Sequence, residues 1–233
     1  MKKKETVESY ERQSLKTWKQ TDFSLNKLEK SLSLFNSNNY PFEPINVNLY
    51  AYLSGLPFSK HLTQKISKIQ NDVKNTIGHN DFYMVKPDNL GVEYAVLKWP
   101  DDQWSVEKEL EAFRAIESYK FNEFKILFNG WQINEDGCLV VKGFDSSGSI
   151  TAFREYIKSE IMFLPSKQSE WFHIPIGRIL NRVGNSAFTQ LRRMVEYSDN
   201  DFEITETIRN IKFIHEKKWY MEEKSVLFIN GAI

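Results

Sequence analysis

The chain has 233 residues, with 31 Lys and Arg set against 31 Asp and Glu, and a formal net charge of zero. Hydrophobic residues make up 41% and aromatics 14%, which argues against disorder and suits one large domain or two small ones around a packed core. Neutrality removes the basic footprint of a broad nucleic-acid surface, and the single Cys138 removes an internal disulfide and a Cys-based zinc site.

Residues 1–41 read as a helical N-terminal extension. Leu25, Leu28, Leu32 and Phe35 recur at i, i+3, i+7 and i+10, one amphipathic stripe, with Asp22 or Ser24 available as a cap. These helices are expected to serve as a packing arm or a homodimer element. A break rich in Asn, Ser and Pro over residues 36–44 marks the joint to a main domain over 42–233. The basic start of the chain is not followed by an apolar stretch, so it does not read as a signal peptide.

In residues 45–53 the apolar side chains alternate strictly, which predicts a strand with one buried face. Gly55 and Pro57 end it. Ser59 then caps a helix carrying Leu62, Ile66, Ile69, Val73 and Ile77, and Gly78 closes it. A β-branched and aromatic run over 91–99 predicts a second strand, ended by Pro100, and Ser105 caps a helix expected to bury Val106, Leu110, Phe113 and Ile116. Strands over 124–133 and 138–144 flank Asn134-Glu-Asp-Gly137, a hairpin turn. Ser149 caps a helix burying Ile150, Phe153, Ile157 and Ile161. A strand over 171–180, a helix using Phe188, Leu191 and Val195, and two closing strands over 202–215 and 220–229 complete the chain. Hairpins interrupt the alternation of strands and helices, so the expected class is α+β with mixed or antiparallel sheets and flanking helices. Neither a Gly-x-Gly-x-x-Gly nor a Gly-Lys-Ser/Thr phosphate loop is present, and no cofactor is expected.

The strand over 171–180 breaks its own rules. It places His173, Gly177 and Arg178 in an apolar run, and Pro175 removes a ladder donor. Departures of this kind concentrate at functional sites, although a histidine in such a strand is as easily a core residue satisfied by a carbonyl.

His173-Ile-Pro-Ile-Gly-Arg178 resembles the second H-x-T/S-x-x-R signature of the 2H phosphoesterases, the LigT-like RNA ligase and cyclic phosphodiesterase group. The element order over about residues 45–229 is similar to that family, including Phe153-Arg154 on the helix before the histidine strand. The resemblance implies a two-lobed, pseudo-symmetric fold with one H-x-T/S motif per lobe meeting across a cleft. The first motif would fall on Gly91 and Glu93, or on Glu93 and Ala95, and no histidine stands there. Alternation places all three residues on one face, with Glu93 in the cleft. In the second motif Pro175 stands where the family has a hydroxyl.

The resemblance implies His173 as general acid/base, Glu93 as base or specificity element, and Arg178 as phosphate clamp, with Tyr94 and Lys98 as further substrate-binding residues. The ligand it implies is a small nucleotide or oligonucleotide phosphate. In-line opening of a cyclic phosphate needs one base for the attacking water and one acid for the leaving oxygen, with cations and donors on the remaining oxygens. One motif histidine leaves two readings, an enzyme with a retuned site or a 2H-fold module that binds without turnover.

Other residues have bland alternatives. Glu93 and Arg178 are each equally readable as structural ion-pair partners. Arg182, Arg192 and Arg193 read as a solvated face, and Trp99, Trp131 and Trp171 as core aromatics before base-stacking ones. His61 and His79 are expected to face solvent, and the charged run 215–224 reads as a hairpin connection. No apolar run approaches the ~20 residues of a membrane span, so the expected setting is cytoplasmic, with no membrane partner.

Overall fold

The computed structural model describes residues 3–36, 41–78, 80–169 and 171–232. The joint residues 37–40 and His79 lie outside the described residues. The first half of the chain comprises α1 (Lys3–Trp18), α2 (Leu25–Leu32), β1 (Phe35–Asn36), β2 (Glu43–Pro44), β3 (Asn46–Gly55), α3 (Lys60–Ile77), β4 (Phe82–Met84), β5 (Gly91–Lys98) and α4 (Val106–Ser118). The second half comprises β6 (Phe124–Ile133), β7 (Cys138–Phe144), α5 (Ser149–Glu160), β8 (Phe172–Ile179), α6 (Gly184–Asp201), β9 (Glu203–Ile208), β10 (Asn210–Lys218) and β11 (Glu223–Gly231). The fold is α+β. Every ladder among the described residues is antiparallel, in a small β1-β2 pair, a four-stranded sheet β11-β10-β3-β5 and a five-stranded sheet β4-β8-β7-β6-β9.

Local signals set most of these elements. The Ser59 hydroxyl accepts the Leu62 N–H at the start of α3, and Gly78 at its end takes φ +96°, the positive region that glycine enters without a Cβ penalty. Asn134-Glu-Asp-Gly137 turns the β6–β7 hairpin, whose strand limits match the sequence reading. At α5 the predicted Ser149 cap is displaced. Asp145 instead accepts the N–H groups of Ser147 and Gly148 in the turn before α5 and of Ile150 in its first turn.

Four expectations are corrected. β3 is buried on both faces over residues 49–54, since it is an interior strand of its sheet. On α4, Val106 and Leu110 are exposed while Ala112, Ala115 and Ile116 are buried, so the buried stripe is rotated from the predicted one. The run over 202–215 is two strands, not one: β9 pairs with β6 in the larger sheet, and β10 pairs with β3 and β11 in the smaller. Phe35 sits in β1 and not on a helix.

One core joins the two sheets, with Tyr52, Tyr94 and Phe213 from the smaller sheet, Phe128 and Ile174 from the larger, and Phe153 from α5. Across the opposite face of the smaller sheet lie two small clusters, Leu49-Ala51-Val96 under Trp99 and Trp219, and Leu53-Leu56-Ile214 under Met221. The sheets meet where Gln168 bonds both the N–H and the C=O of Val96.

The N-terminal helices pack on their own chain. Tyr10, Phe23 and Leu28 are buried. The Tyr10 hydroxyl donates to the Phe172 carbonyl and accepts the Gly143 N–H, each at 3.3 Å. Asp22, which the sequence offers as a cap for α2, instead accepts the N–H groups of Val183 and Gly184 and so caps α6. Of the predicted apolar stripe, Leu28 and Phe35 are buried within the protein while Leu25 is exposed, so the extension packs as an arm on its own domain.

Candidate functional site

Two β-bulges decide what faces the cleft between the sheets. In the β3–β5 ladder Leu53 pairs with Glu93 and Tyr52 with Ala95, so Tyr94 is an extra residue. The bulge keeps Gly91 and Glu93 on the cleft face but turns Tyr94 and Ala95 together into the core. Strict alternation is thereby corrected for Ala95. Of the two motif registers, only the one on Gly91 and Glu93 has both positions in the cleft. In the β7–β8 ladder Leu139 pairs with Gly177 and Val140 with Pro175, making Ile176 the extra residue. Positions 173, 175 and 178 therefore all face the cleft despite their uneven spacing. Pro175 is tolerated because β4 pairs only with residues 177–179, leaving β8 without a ladder partner on that side at the proline.

The cavity has a volume of about 300 Å³, and its lining includes Glu93, His173, Pro175, Arg178, Cys138 and Glu216. Desolvation drives its electrostatics. Burial pushes the Glu93 carboxyl up to about 7, with Arg154 partly opposing it. Burial, with Arg154 nearby, pushes the His173 imidazole down to about 4, and its Nδ1 is buried without a hydrogen-bond partner. Neutral imidazole and half-protonated carboxyl therefore coexist near pH 7. Arg154 is held by backbone carbonyls, with Nε donating to Tyr94 at 2.8 Å and Nη2 to Trp171 at 3.1 Å. Its guanidinium also lies 4.7 Å from the centre of the Phe172 ring.

Arg178 lies at the other end of the cavity. Its Nη1 donates to Asp136 Oδ2 at 3.1 Å and to Ser31 Oγ at 2.7 Å, and its side chain is 11% exposed. Cys138, paired with it across the ladder, is a buried thiol pushed up to about 11 by desolvation.

Of the five residues proposed from sequence, the fold brings Glu93, His173 and Arg178 together at one cavity and leaves two out. Tyr94 is 2% exposed and packs its ring against Phe124 and Phe153, because it follows Glu93 on the opposite, core face of β5. Lys98 is 2% exposed. Its Nζ donates to the carbonyls of Asn48, Trp99 and Pro100, so the ammonium is consumed in tying down the end of β5. Trp131 is a core residue, whereas Trp99 lines the cleft. The charged run 215–224, read as a mere connection, supplies Glu216, Trp219, Tyr220 and Met221 to the lining. Its apolar residues were the available signal. His61 is exposed, as expected.

No protein-family model matches the sequence, and no curated protein matches it. Solved structures do. A conserved protein of unknown function, ATU0111 from Agrobacterium tumefaciens, is 12% identical with a TM-score of 0.61, covering 80% of this chain and 87% of that one. TT0787 of Thermus thermophilus is 13% identical with a TM-score of 0.56, covering 78% and 97%. E. coli LigT complexed with phosphate is 10% identical with a TM-score of 0.53, covering 80% and 98%. At these identities the likeness establishes the fold, which is LigT-like, as the signature around His173 implies. Among the described residues no helix is long and apolar enough to cross a membrane, and no cluster of side chains suits a metal ion.

Proposed function

We propose that this LigT-fold chain is a divergent 2H-type phosphoesterase whose cleft takes the phosphate of a nucleotide or short oligonucleotide and opens a cyclic phosphodiester. The observation that carries this reading is that Glu93 and His173, from strands of two different sheets, line one small cavity with Arg178. Their proton affinities are driven apart, which is the arrangement of an acid and a base. Protonated Glu93 donates to the leaving oxygen, neutral His173 orients or deprotonates the attacking water, and Arg178 faces the phosphate oxygens. A Glu93 carboxylate would repel an anionic phosphate, and the protonated, neutral carboxyl does not. E. coli LigT is known in complexes with phosphate and with ATP, which supports a phosphate-bearing ligand here.

A second reading is a 2H-fold module that binds without turnover. Two observations favour it: Pro175 and Gly91 supply no hydroxyl or imidazole, and Arg178 already bonds Asp136. Incubation of the purified protein with 2′,3′-cyclic nucleotides, short RNAs and cyclic dinucleotides separates the two. Turnover abolished by His173→Ala supports the enzyme, binding without turnover supports the module, and neither result removes both.

A further inference from the structure

We infer that Glu216 is a ligand-binding residue of the cleft, that it and Glu93 hold one proton between them, and that a phosphate ester enters only together with that proton. The inference rests on the cleft being a phosphate site, as argued above.

Glu216 comes from β10 and Glu93 from β5, and both line the same cavity. Glu216 is 4% exposed. Its Oε1 accepts the Met221 N–H at 2.9 Å. The backbone of the Trp219–Met221 turn thus grips it, and that turn holds Tyr220 and Met221 at φ +62° and +57°. Two consecutive non-glycine residues in the left-handed region are strained, and such strain concentrates at functional sites. A buried carboxylate held by a strained turn, with no cation in salt-bridge contact among the described residues, is poorly explained as a stability element.

The nearby cations are engaged with other groups, although the charge of Lys224 still lowers the proton affinity of Glu216. Arg178 on β8 is balanced by Asp136. Lys224 on β11 donates its Nζ to Asn89 and to the Met221 carbonyl, and Lys212 on β10 donates to the carbonyls of Gly55 and Leu56. Glu222 at the rim is paired with Lys86 and bonded by Tyr83. His173 is neutral, Cys138 on β7 and Tyr220 are protonated, and Arg154 lies behind β5 on backbone carbonyls. Desolvation, with the charge of Glu93, raises Glu216 to about 7 against the lowering effect of the Met221 and Tyr220 N–H groups and of Lys224. Two coupled carboxyls near 7 titrate as a pair, and an added anion raises both. Binding therefore takes up a proton wherever the pair is ionised.

Titration calorimetry with a 2′-O-methylated ApA dinucleotide tests this. Its phosphodiester cannot be cleaved by its own 2′-oxygen and keeps one charge over the range used. Repeating each titration in buffers of different ionisation enthalpy counts protons. Uptake approaching one proton per ligand at pH 8 is expected, with affinity falling about tenfold per pH unit above neutrality. In Glu216→Gln both effects should shrink to the share that Glu93 alone supplies, with binding weakened but still measurable. Carboxyl carbon NMR of the free variants is the second readout, and Glu216→Gln should lower the Glu93 titration. Binding with no proton uptake, or uptake unchanged in Glu216→Gln, overturns the inference and leaves the phosphate site intact. Absence of binding from pH 5 to 9 in a folded protein overturns both.

Discussion

Ser31 Oγ, on the second helix of the N-terminal extension, accepts a hydrogen bond from Nη1 of Arg178 at 2.7 Å. Ser31 is completely buried, and its hydroxyl is turned by the Asp136 carbonyl, to which it donates. The extension is therefore part of the wall that holds the cleft's arginine, with Leu34 adding to the same lining. Ser31→Ala removes a charge-assisted bond worth about 1.5–3 kcal/mol. Urea denaturation should register a loss of that order, and KM for a phosphodiester should rise about tenfold with kcat less affected. Unchanged KM in a destabilised variant would make Ser31 a structural residue only.

Asp136 bonds the same Nη1 of Arg178 that is proposed to face a phosphate, and on that proposal it competes with the ligand. Asp136→Asn keeps the size of the side chain and removes its charge, so the guanidinium is released toward the cavity. Inorganic phosphate should then bind more tightly, by about tenfold for each 1.4 kcal/mol of attraction released, while the folded state loses the ion pair. Calorimetry with phosphate and a thermal melt read the two effects separately. Weaker phosphate binding in the variant would mean that Asp136 orients Arg178 for its ligand and does not compete with it.

The three buried cleft groups push stability in opposite directions with pH. His173 is held at about 4, below its ordinary value near 6.5. Its contribution is complete above about 6.5 and is lost as pH falls toward 4. Glu93 and Glu216 are held at about 7, above their ordinary range. Their contribution is complete below about 4.5 and is lost as pH rises through 7. Each proton changes stability by about 1.4 kcal/mol per pH unit between the two values. The double variant Glu93→Gln, Glu216→Gln should therefore gain stability relative to wild type as pH rises from 5 to 8. Parallel urea midpoints for the two proteins over that range would sink the assignment of raised carboxyls.

The sequence makes the order of elements readable because its signals are local: the Ser59 cap, the Asn134–Gly137 turn, and the four-and-three spacing from Leu62 to Ile77. Around the cleft the same logic carries His173 and Glu93, whose chemistry is at odds with their apolar strands. It fails where geometry depends on a partner strand. Nothing local in Gly91–Lys98 announces that Tyr94 is the extra residue of a bulge, so alternation puts Ala95 on a face it does not occupy. Lys98 is anchored by the Asn48 carbonyl of β3, which no spacing encodes, together with the carbonyls of the two residues that follow it. Glu216 is hidden in a charged run, and only the fold of β10 onto β3 aims it inward.

Arg154 couples the two sheets and, second to burial, shifts the proton affinities of Glu93 and His173, which line the same cavity. Its guanidinium bonds the Tyr94 carbonyl of one sheet and the Trp171 carbonyl just before β8 in the other. Its charge lowers both His173 and Glu93. Arg154→Met keeps the apolar stem over Phe172 but removes the donors and the charge, leaving carbonyls under-satisfied at a cost of about 1–3 kcal/mol each. Without the cation His173 should titrate above 4 and move toward its ordinary value, while Glu93 should move above 7 because its only opposing influence is gone. Proton NMR of the His173 ring and carboxyl carbon NMR of Glu93 follow the two shifts, and both are expected upward. A His173 titration still near 4 in the folded variant would assign its neutrality to burial alone, and Arg154 would then be a strut between sheets with no hold on the chemistry of the cleft.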